Sequence, residues 1–479
     1  MTVAIAQPGQ ARLAPSERDE LAGRVGLAGE RARRLGRPVL AALTVSADPG
    51  TDPSAVAFAS RRPGEAWFCF EQPEDQGSAL ATLGAAHVVS GRGEDRFAEV
   101  ANAWRRLLAD AVTDPPSGPR GAGLVAVGGF AFAADGALAE HWSTFDPAAL
   151  TVPEAALARR AGAVRLTLAA LVAPDDTPAD VAARLEDRLE RLGTAPLGLL
   201  DPAPALPARV SSAMPPEHYV SAVARGVERI RAGELEKIVL AREVLVRTSE
   251  PHDPAAIFGV LRDAFPGCYV FCAGTSEGAL VAASPELLVR REGQRASTVA
   301  LAGSTRRSAD PAVDDHLGEQ LLHSAKDREE QAIVVRRIER TLRALALWVT
   351  APSEPVLVRM ANIQHLATPI RAQLAEPIGA VDLAGLLHPT PAVAGEPFAA
   401  ARRLIPALEG LDRGWYAGPV GWVDAAQDGE FCVALRCALL RGAVAHCYAG
   451  VGVVRDSDPA AELAETEVKL AALLPVLAG

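Results

Sequence analysis

The feature that most constrains this chain is how its apolar residues are grouped after residue 217. They fall into short strand-like runs joined by tight turns, with few long helical stretches between them. Strands are predicted over residues 237–247, 268–273, 279–283, 287–291 and 295–301, the last two separated by a turn at 291–294. Strand character returns over 418–454, with one hairpin across 424–429 and another at Arg441-Gly442. Helical spacing marks 217–232, where Val220, Val223, Val227 and Ile230 share a face and Gly233 offers a C-cap. It also marks 254–265, a long stretch from 312 to 347, and 459–474, which is entered through the capping candidates Asp456-Ser457-Asp458. Tight turns join antiparallel strands. The reading is therefore an α+β fold, with antiparallel-rich sheets and helices packed outside, rather than a βαβ series.

With 479 residues, 49% hydrophobic and 22% charged, the chain has material for a large core. Length alone suggests two or three domains. A net charge of −11 argues against a nucleic-acid surface but not against a small anionic substrate, because a local site can be positive or carry a metal. The six cysteines show no CxxC spacing and mostly lie in apolar runs, as expected of buried thiols in a reducing compartment. Residues 1–14 lack a basic segment followed by an apolar run, and no apolar stretch is long enough to span a bilayer. The expectation is a cytoplasmic protein with no membrane contact. Usage is rich in Ala, Arg and Gly and poor in Lys. Prolines punctuate 114–119, and Pro196, Pro202, Pro204, Pro207, Pro215 and Pro216 mark an exposed linker or crossing loop. That stretch separates residues 1–200, which hold few recognisable constellations, from 205–479, which hold most of them.

Two helical segments carry carboxylates three residues apart: Asp327 with Glu330, and Glu462 with Glu465. Residues three apart share a helix face, so each segment can aim two oxygen ligands at one point. Brought together, two such faces suit a hard cation that keeps water, which is how Mg²⁺ is usually held. Ordinary solvated helix faces give the same spacing. Lys469, four residues after Glu465, shares its face. Lys237 begins an apolar strand, either as a snorkelling edge residue or as a lysine able to act as a base. Glu286, at the start of a strand, is either a surface residue or a protonated acid in an enclosed site. Arg436 interrupts an apolar sheet run and needs a partner, for which a carboxylate is favoured. Gly450 and Gly452 let backbone approach a ligand, or simply form a turn. His365 is either a donor to a ligand or a satisfied core histidine.

Several segments carry a resemblance between them. They are Lys237-Ile-Val-Leu-Ala-Arg242, Ser284-Pro285-Glu286, Leu301-Ala-Gly303-Ser304, Lys326-Asp327-Arg-Glu-Glu330, His365-Leu-Ala-Thr368, His388-Pro-Thr-Pro-Ala392-Val-Ala-Gly395, Arg413-Gly-Trp-Tyr416-Ala-Gly418-Pro, Ala434-Leu-Arg436, Tyr448-Ala-Gly450-Val-Gly452 and Glu462-Leu-Ala-Glu465-Thr-Glu-Val-Lys469. In this order and spacing, over residues 205–478, the chain resembles the chorismate-utilising enzymes. That family includes isochorismate synthases, salicylate synthases and the large subunits of anthranilate and aminodeoxychorismate synthases. Residues 1–200 match loosely, as a divergent N-terminal part of the fold.

The resemblance implies two large, mostly antiparallel sheets facing each other with helices outside, and a site deep in the C-terminal part. It implies Glu330 and Glu465 as direct Mg²⁺ ligands, with Asp327 and Glu462 holding metal waters. It places His365, Ala392, Tyr416, Arg436, Gly450, Gly452, Lys469, Gly303 and Ser304 around chorismate, with Arg436 on the enolpyruvyl carboxylate. It gives Lys237 the role of base toward water and Glu286 that of acid toward the C4 hydroxyl, which makes isochorismate. A lysine at 237 favours water over ammonia, so no glutamine amidotransferase partner is expected, and a monomer is the family expectation. The alternatives are a salicylate synthase, which goes on to eliminate pyruvate, and a catalytically inactive scaffold with the same fold. Residues 390–395 and 412–416 lean toward isochorismate synthases, because lyase members tend to carry a hydroxyl residue near Ala392. Isochorismate feeds menaquinone, siderophores and salicylate, and the run Arg413-Gly-Trp-Tyr-Ala-Gly-Pro-Val-Gly-Trp422 leans toward the menaquinone-type enzymes. One departure is Gln331, where many members have histidine.

Overall fold

The turns do join antiparallel strands. The computed structural model describes residues 2–200, 207–361 and 363–478. Its strands gather into two sheets, one of twelve strands and one of ten. The strand Lys237–Arg247 falls on the residues expected and pairs with Val444–Val453 from Ile238↔Val453 to Arg247↔Val444. Both predicted hairpins form: Pro419–Asp424 with Gly429–Val433, and Cys437–Arg441 with Val444–Val453. Gly442 turns the second at φ 57°, a left-handed value that glycine adopts without a Cβ penalty.

The chain crosses between the sheets at two neighbouring places. Ala279–Ser284 lies in the larger sheet and Leu287–Glu292 in the smaller, so residues 285–286 bridge them. Gly429–Val433 lies in the smaller sheet and Cys437–Arg441 in the larger, so 434–436 bridge them in return. The crossings are tied together. Val433 N donates to Glu286 O at 3.0 Å, Ala283 N donates to Arg436 O at 3.2 Å, and Ser284 Oγ donates to Val433 O at 2.5 Å. Arg436 is therefore not on a sheet position, as the sequence suggested. It sits in the return crossing at φ 46°, between the layers.

Strands of the N-terminal part extend both sheets. Trp67–Gln72 pairs with Tyr269–Gly274, and Val125–Phe130 pairs with Pro419–Asp424. One apolar cluster takes side chains from both sheets, among them Phe130, Phe271 and Phe431. A second, containing Leu21, Leu185 and Phe258, seats the helices Pro15–Leu35, Pro178–Glu190 and Pro254–Ala264 on the larger sheet.

Three expected elements differ from those formed. The helix expected over 312–347 is two helices, Pro311–His323 and Ala325–Arg343, followed by the strand Ala346–Thr350. Ser324 breaks it: its backbone is extended and its Oγ accepts from Asp327 N at 3.3 Å, a cap that starts a new helix beside the acidic pair. The last helix stops at Leu470 and a short helix, Leu474–Ala478, follows. The strand expected over 295–301 runs on to Arg306 through a bulge at Gly303. Pro202 and Pro204 of the expected linker lie outside the described residues, while Leu199 and Pro207 on either side are exposed. All six cysteines are buried and free. No helix among the described residues is long and apolar enough to cross a membrane.

Candidate active site

The two crossings, a bulge and two helix starts converge on one cavity of about 80 Å³. Its walls include Glu286, Gly303, Ser304, Glu330, His365, Ala392, Tyr416, Arg436, Gly450, Gly452, Glu465 and Lys469. The other three expected site residues stand one layer behind. Lys237 Nζ lies 2.8 Å from Glu330 Oε1, Lys326 Nζ lies 2.7 Å from Glu462 Oε1, and Asp327 packs against Gly303 so closely that a Cβ there would come within 2.9 Å.

Lys237 and Glu286 differ in how they are held. Lys237 is wholly buried, and although its Nζ is close to Glu330 it lacks hydrogen-bond alignment with any partner among the described residues. Glu286 sits in the first crossing, 3% exposed. Burial pushes its carboxyl up to about 8, against the pull of Lys237 and Lys469. It is therefore a protonated acid at neutral pH.

The four acids come from the helices Ala325–Arg343 and Pro459–Leu470. Asp327 is raised by burial, with Glu330 and Glu465 adding repulsion against the Ser324 hydrogen bond. Glu462 is raised by burial despite Lys326. Burial also works against charged Glu465, but Lys469 at 2.9 Å and Ser304 Oγ at 2.7 Å hold it below the ordinary value. This is an all-oxygen donor set under like-charge strain, which suits a hard divalent cation. No three of these acids place ligand atoms within 4.8 Å of one another among the described residues, so a cation here would keep much of its water. Among the described residues the one trio that meets that distance is His141, Glu243 and His446. Its two rings stack at 4.4 Å and 14°, and His446 Nδ1 lies 2.6 Å from Glu243 Oε1, so a packed, hydrogen-bonded group is the simpler description.

His365 and Arg436 form a fixed unit. His365 Nδ1 lies 3.2 Å from Gly303 O, and Nε2 lies 2.6 Å from Arg436 Nη2. A guanidinium only donates, so Nε2 accepts and Nδ1–H donates to the bulge carbonyl. Burial, Arg436 and Lys469 hold His365 well below its ordinary value, so the ring is neutral, as this tautomer requires. Among the described residues no carboxylate pairs with Arg436. Its other contact is Met360 Sδ at 3.1 Å.

The glycines are steric requirements. A Cβ on Gly452 would lie 2.1 Å from Glu330 Oε1 and 2.7 Å from Lys237 Cε. One on Gly450 would lie 2.9 Å from Tyr416 Oη, and Gly450 O accepts from Lys469 Nζ at 2.9 Å.

Several contributors were not read from the sequence. Lys326 holds Glu462, and it had a signal: only three of the 48 basic residues are lysines, and Lys237, Lys326 and Lys469 are all here. In an arginine-dominated chain, lysine marks places that need a compact or proton-losing cation. Arg413 pairs with buried Glu409 and donates to Val393 O at 2.8 Å and Val239 O at 3.0 Å, fixing the Ala392 loop against the Lys237 strand. Gln331, the departure from the family pattern, donates to Ala300 O and Thr368 Oγ1, each at 3.0 Å. It pins the Glu330 helix to the sheet and faces away from the acids.

Comparison with known proteins agrees with this geometry. A family model described as chorismate binding enzyme matches residues 27–478. The salicylate biosynthesis isochorismate synthase of Pseudomonas aeruginosa is 38% identical over 448 residues, covering 93% of this chain and 92% of that protein. Isochorismate synthase EntC of Escherichia coli is 39% identical over 53% of this chain and 65% of its own length. Among solved structures, the menaquinone-specific isochorismate synthase MenF of Escherichia coli superposes over 95% of this chain and 100% of its own, with TM-score 0.77 at 26% identity. On a family match from residue 27 to 478 and a relative alike over nearly all of both chains, the protein belongs to the chorismate-binding enzymes, among the isochorismate synthases, which are isomerases.

Proposed function

We propose that this enzyme converts chorismate to isochorismate, adding water at C2 and releasing the C4 hydroxyl. The observation that carries the reading is a wholly buried lysine one layer behind a cavity whose wall holds a carboxyl that keeps its proton to about pH 8. Lys237 takes a proton from the attacking water. Glu286 gives its proton to the departing C4 oxygen as the ring double bonds shift, so one water enters as one leaves. Arg436, oriented by His365, binds the enolpyruvyl carboxylate, with Lys469, Tyr416 and the Gly450–Gly452 backbone beside it. Gly303, Ser304 and Ala392 complete the ring pocket.

Glu330 and Glu465 would hold Mg²⁺, with Asp327 and Glu462 ordering its waters. When bound, Mg²⁺ neutralises the ring carboxylate and fixes its orientation. Lys237, Lys326 and Lys469 lie against Glu330, Glu462 and Glu465 and hold these three acids in place.

The test is chromatography of products from chorismate and Mg²⁺, with and without EDTA, ammonium salt present throughout. Mg²⁺-dependent isochorismate, lost in Lys237→Ala by about 10²–10⁴ in rate, is the expected result. Salicylate with pyruvate would move the protein to the lyase branch. An aminated product would overturn the role of Lys237, and no turnover would leave a binding scaffold.

A further inference from the structure

Arg436 commits one amino group to His365 and turns the other to a sulfur: Nη1 donates to Met360 Sδ at 3.1 Å. Met360 follows the strand Val356–Arg359, which pairs with Ile363–Leu374 in the smaller sheet. Its backbone is fixed on both sides. Met360 N donates to Ile363 O at 2.9 Å, and Met360 O accepts from Arg307 Nη1 at 2.5 Å. The residue is half-buried, within reach of solvent as well as of Arg436. The chain has only three methionines, and Met214, 46% exposed, lines a different cavity with Tyr219 and Arg242. The six thiols are poor competitors for an oxidant. All are buried, and burial pushes each of them up, Cys268 at 4.0 Å from Met360 Sδ to about 11. Little thiolate therefore exists at neutral pH. A thioether needs no ionisation to be oxidised.

We infer that Met360 is an oxidation site: a hydroperoxide converts it to the sulfoxide, which weakens carboxylate binding at Arg436. The effect on turnover rests on Arg436 holding the enolpyruvyl carboxylate, as in the proposed reaction. In the step, a sulfur lone pair attacks one peroxide oxygen, the O–O bond breaks and the S–O bond forms. Sulfur loses two electrons. The other oxygen takes them, leaves as hydroxide and picks up the proton of the attacked oxygen, so thioether and hydrogen peroxide give sulfoxide and water. Thioether sulfur is a weak acceptor. The sulfoxide is polar, and its oxygen lies one bond from a sulfur that Nη1 already contacts. A hydrogen bond from a guanidinium to that oxygen is charge-assisted and therefore strong. A carboxylate must then compete for Arg436 with an acceptor fixed in the protein, and its affinity falls. Neither Lys237 nor Glu286 takes part in this exchange, so the loss falls on binding rather than on proton transfer.

The test treats the full chain with hydrogen peroxide, locates added oxygen by peptide mass mapping, and reads chorismate affinity by calorimetry with Mg²⁺ present. Glu286→Gln protein is used for the calorimetry so that chorismate is not consumed. Oxygen is expected on Met360 and on exposed Met214, with chorismate bound about tenfold or more weakly afterwards. In the wild type, KM for chorismate should rise by a similar factor with kcat less affected. Met360→Leu, whatever its starting affinity, should show no further change on peroxide treatment, whereas Met214→Leu should still lose affinity. Met360→Gln, which sets an amide oxygen near the sulfoxide position, should bind chorismate weakly without peroxide. Three results would overturn the assignment: Met360 left unoxidised when Met214 is fully oxidised, oxidised Met360 with unchanged chorismate affinity, or a peroxide-induced loss in Met360→Leu equal to that of the parent. Chorismate that binds untreated protein but is never turned over would count against the proposed reaction alone, since the affinity measurement still reads the effect of oxidation.

Discussion

Replacing Glu286 by glutamine should make the protein more stable in mild base while removing its activity. Free in the unfolded chain, the carboxyl ionises near its ordinary value of 4.5; in the folded protein burial holds it up to about 8. Between those values the folded state binds the extra proton, so stability falls as pH rises from 4.5 toward 8 and levels off above. At 1.36 kcal/mol per unit, the gap amounts to about 5 kcal/mol above pH 8 and to less than about 1 kcal/mol at pH 5. Glutamine carries no such pH-dependent cost. Its buried N–H groups cost about 1–3 kcal/mol, but equally at both pH values, so comparison between them cancels that part. The assay is urea unfolding of wild type and Glu286→Gln at about pH 5 and about pH 8.5. The variant should gain about 4 kcal/mol relative to wild type between the two. Turnover of chorismate at neutral pH should fall by about 10²–10⁴, because the amide has no proton to give. Parallel pH–stability profiles for the two proteins would refute the protonated-acid role.

Gly452→Ala should drive Glu330 and Lys237 apart, since its Cβ would lie 2.1 Å from Glu330 Oε1; kinetics against Mg²⁺ concentration should show a higher Mg²⁺ requirement and a lower kcat. Arg436→Lys keeps charge but loses the planar fork, so KM for chorismate should rise by about tenfold or more with kcat less affected, read from initial rates. His365→Ala removes the acceptor 2.6 Å from Arg436 and should likewise raise KM. Because His365 is held well below its ordinary value in wild type, that change should leave the pH profile near neutrality unaltered. Lys326→Ala frees Glu462 and should raise the Mg²⁺ concentration needed for half-maximal rate, with a smaller loss of activity than Lys237→Ala.

By itself the sequence determined much of this protein. Alternating strands, tight turns and cap residues are local properties, and the strand at Lys237, both hairpins and the helix entered through Asp458 followed from them. The candidate residues were legible as polar groups in apolar runs and as acids three apart, and their order carried the family resemblance. Helix boundaries were less legible. Ser324 broke the long helical pattern because a hydroxyl that caps the next helix outweighs an apolar periodicity that continues through it. The crossings between sheets could not be read at all. That Ser284-Pro285-Glu286 and Ala434-Leu435-Arg436 pass from one layer to the other, hydrogen-bonded side by side, depends on which strands pair, and pairing is non-local. Only the tertiary structure turned Arg436 from an oddity in a strand into a guanidinium held by neutral His365. Only it made Glu286 a protonated acid, because a carboxyl's proton affinity is set by the water it loses and the charges it meets, and neither is written in its neighbours along the chain.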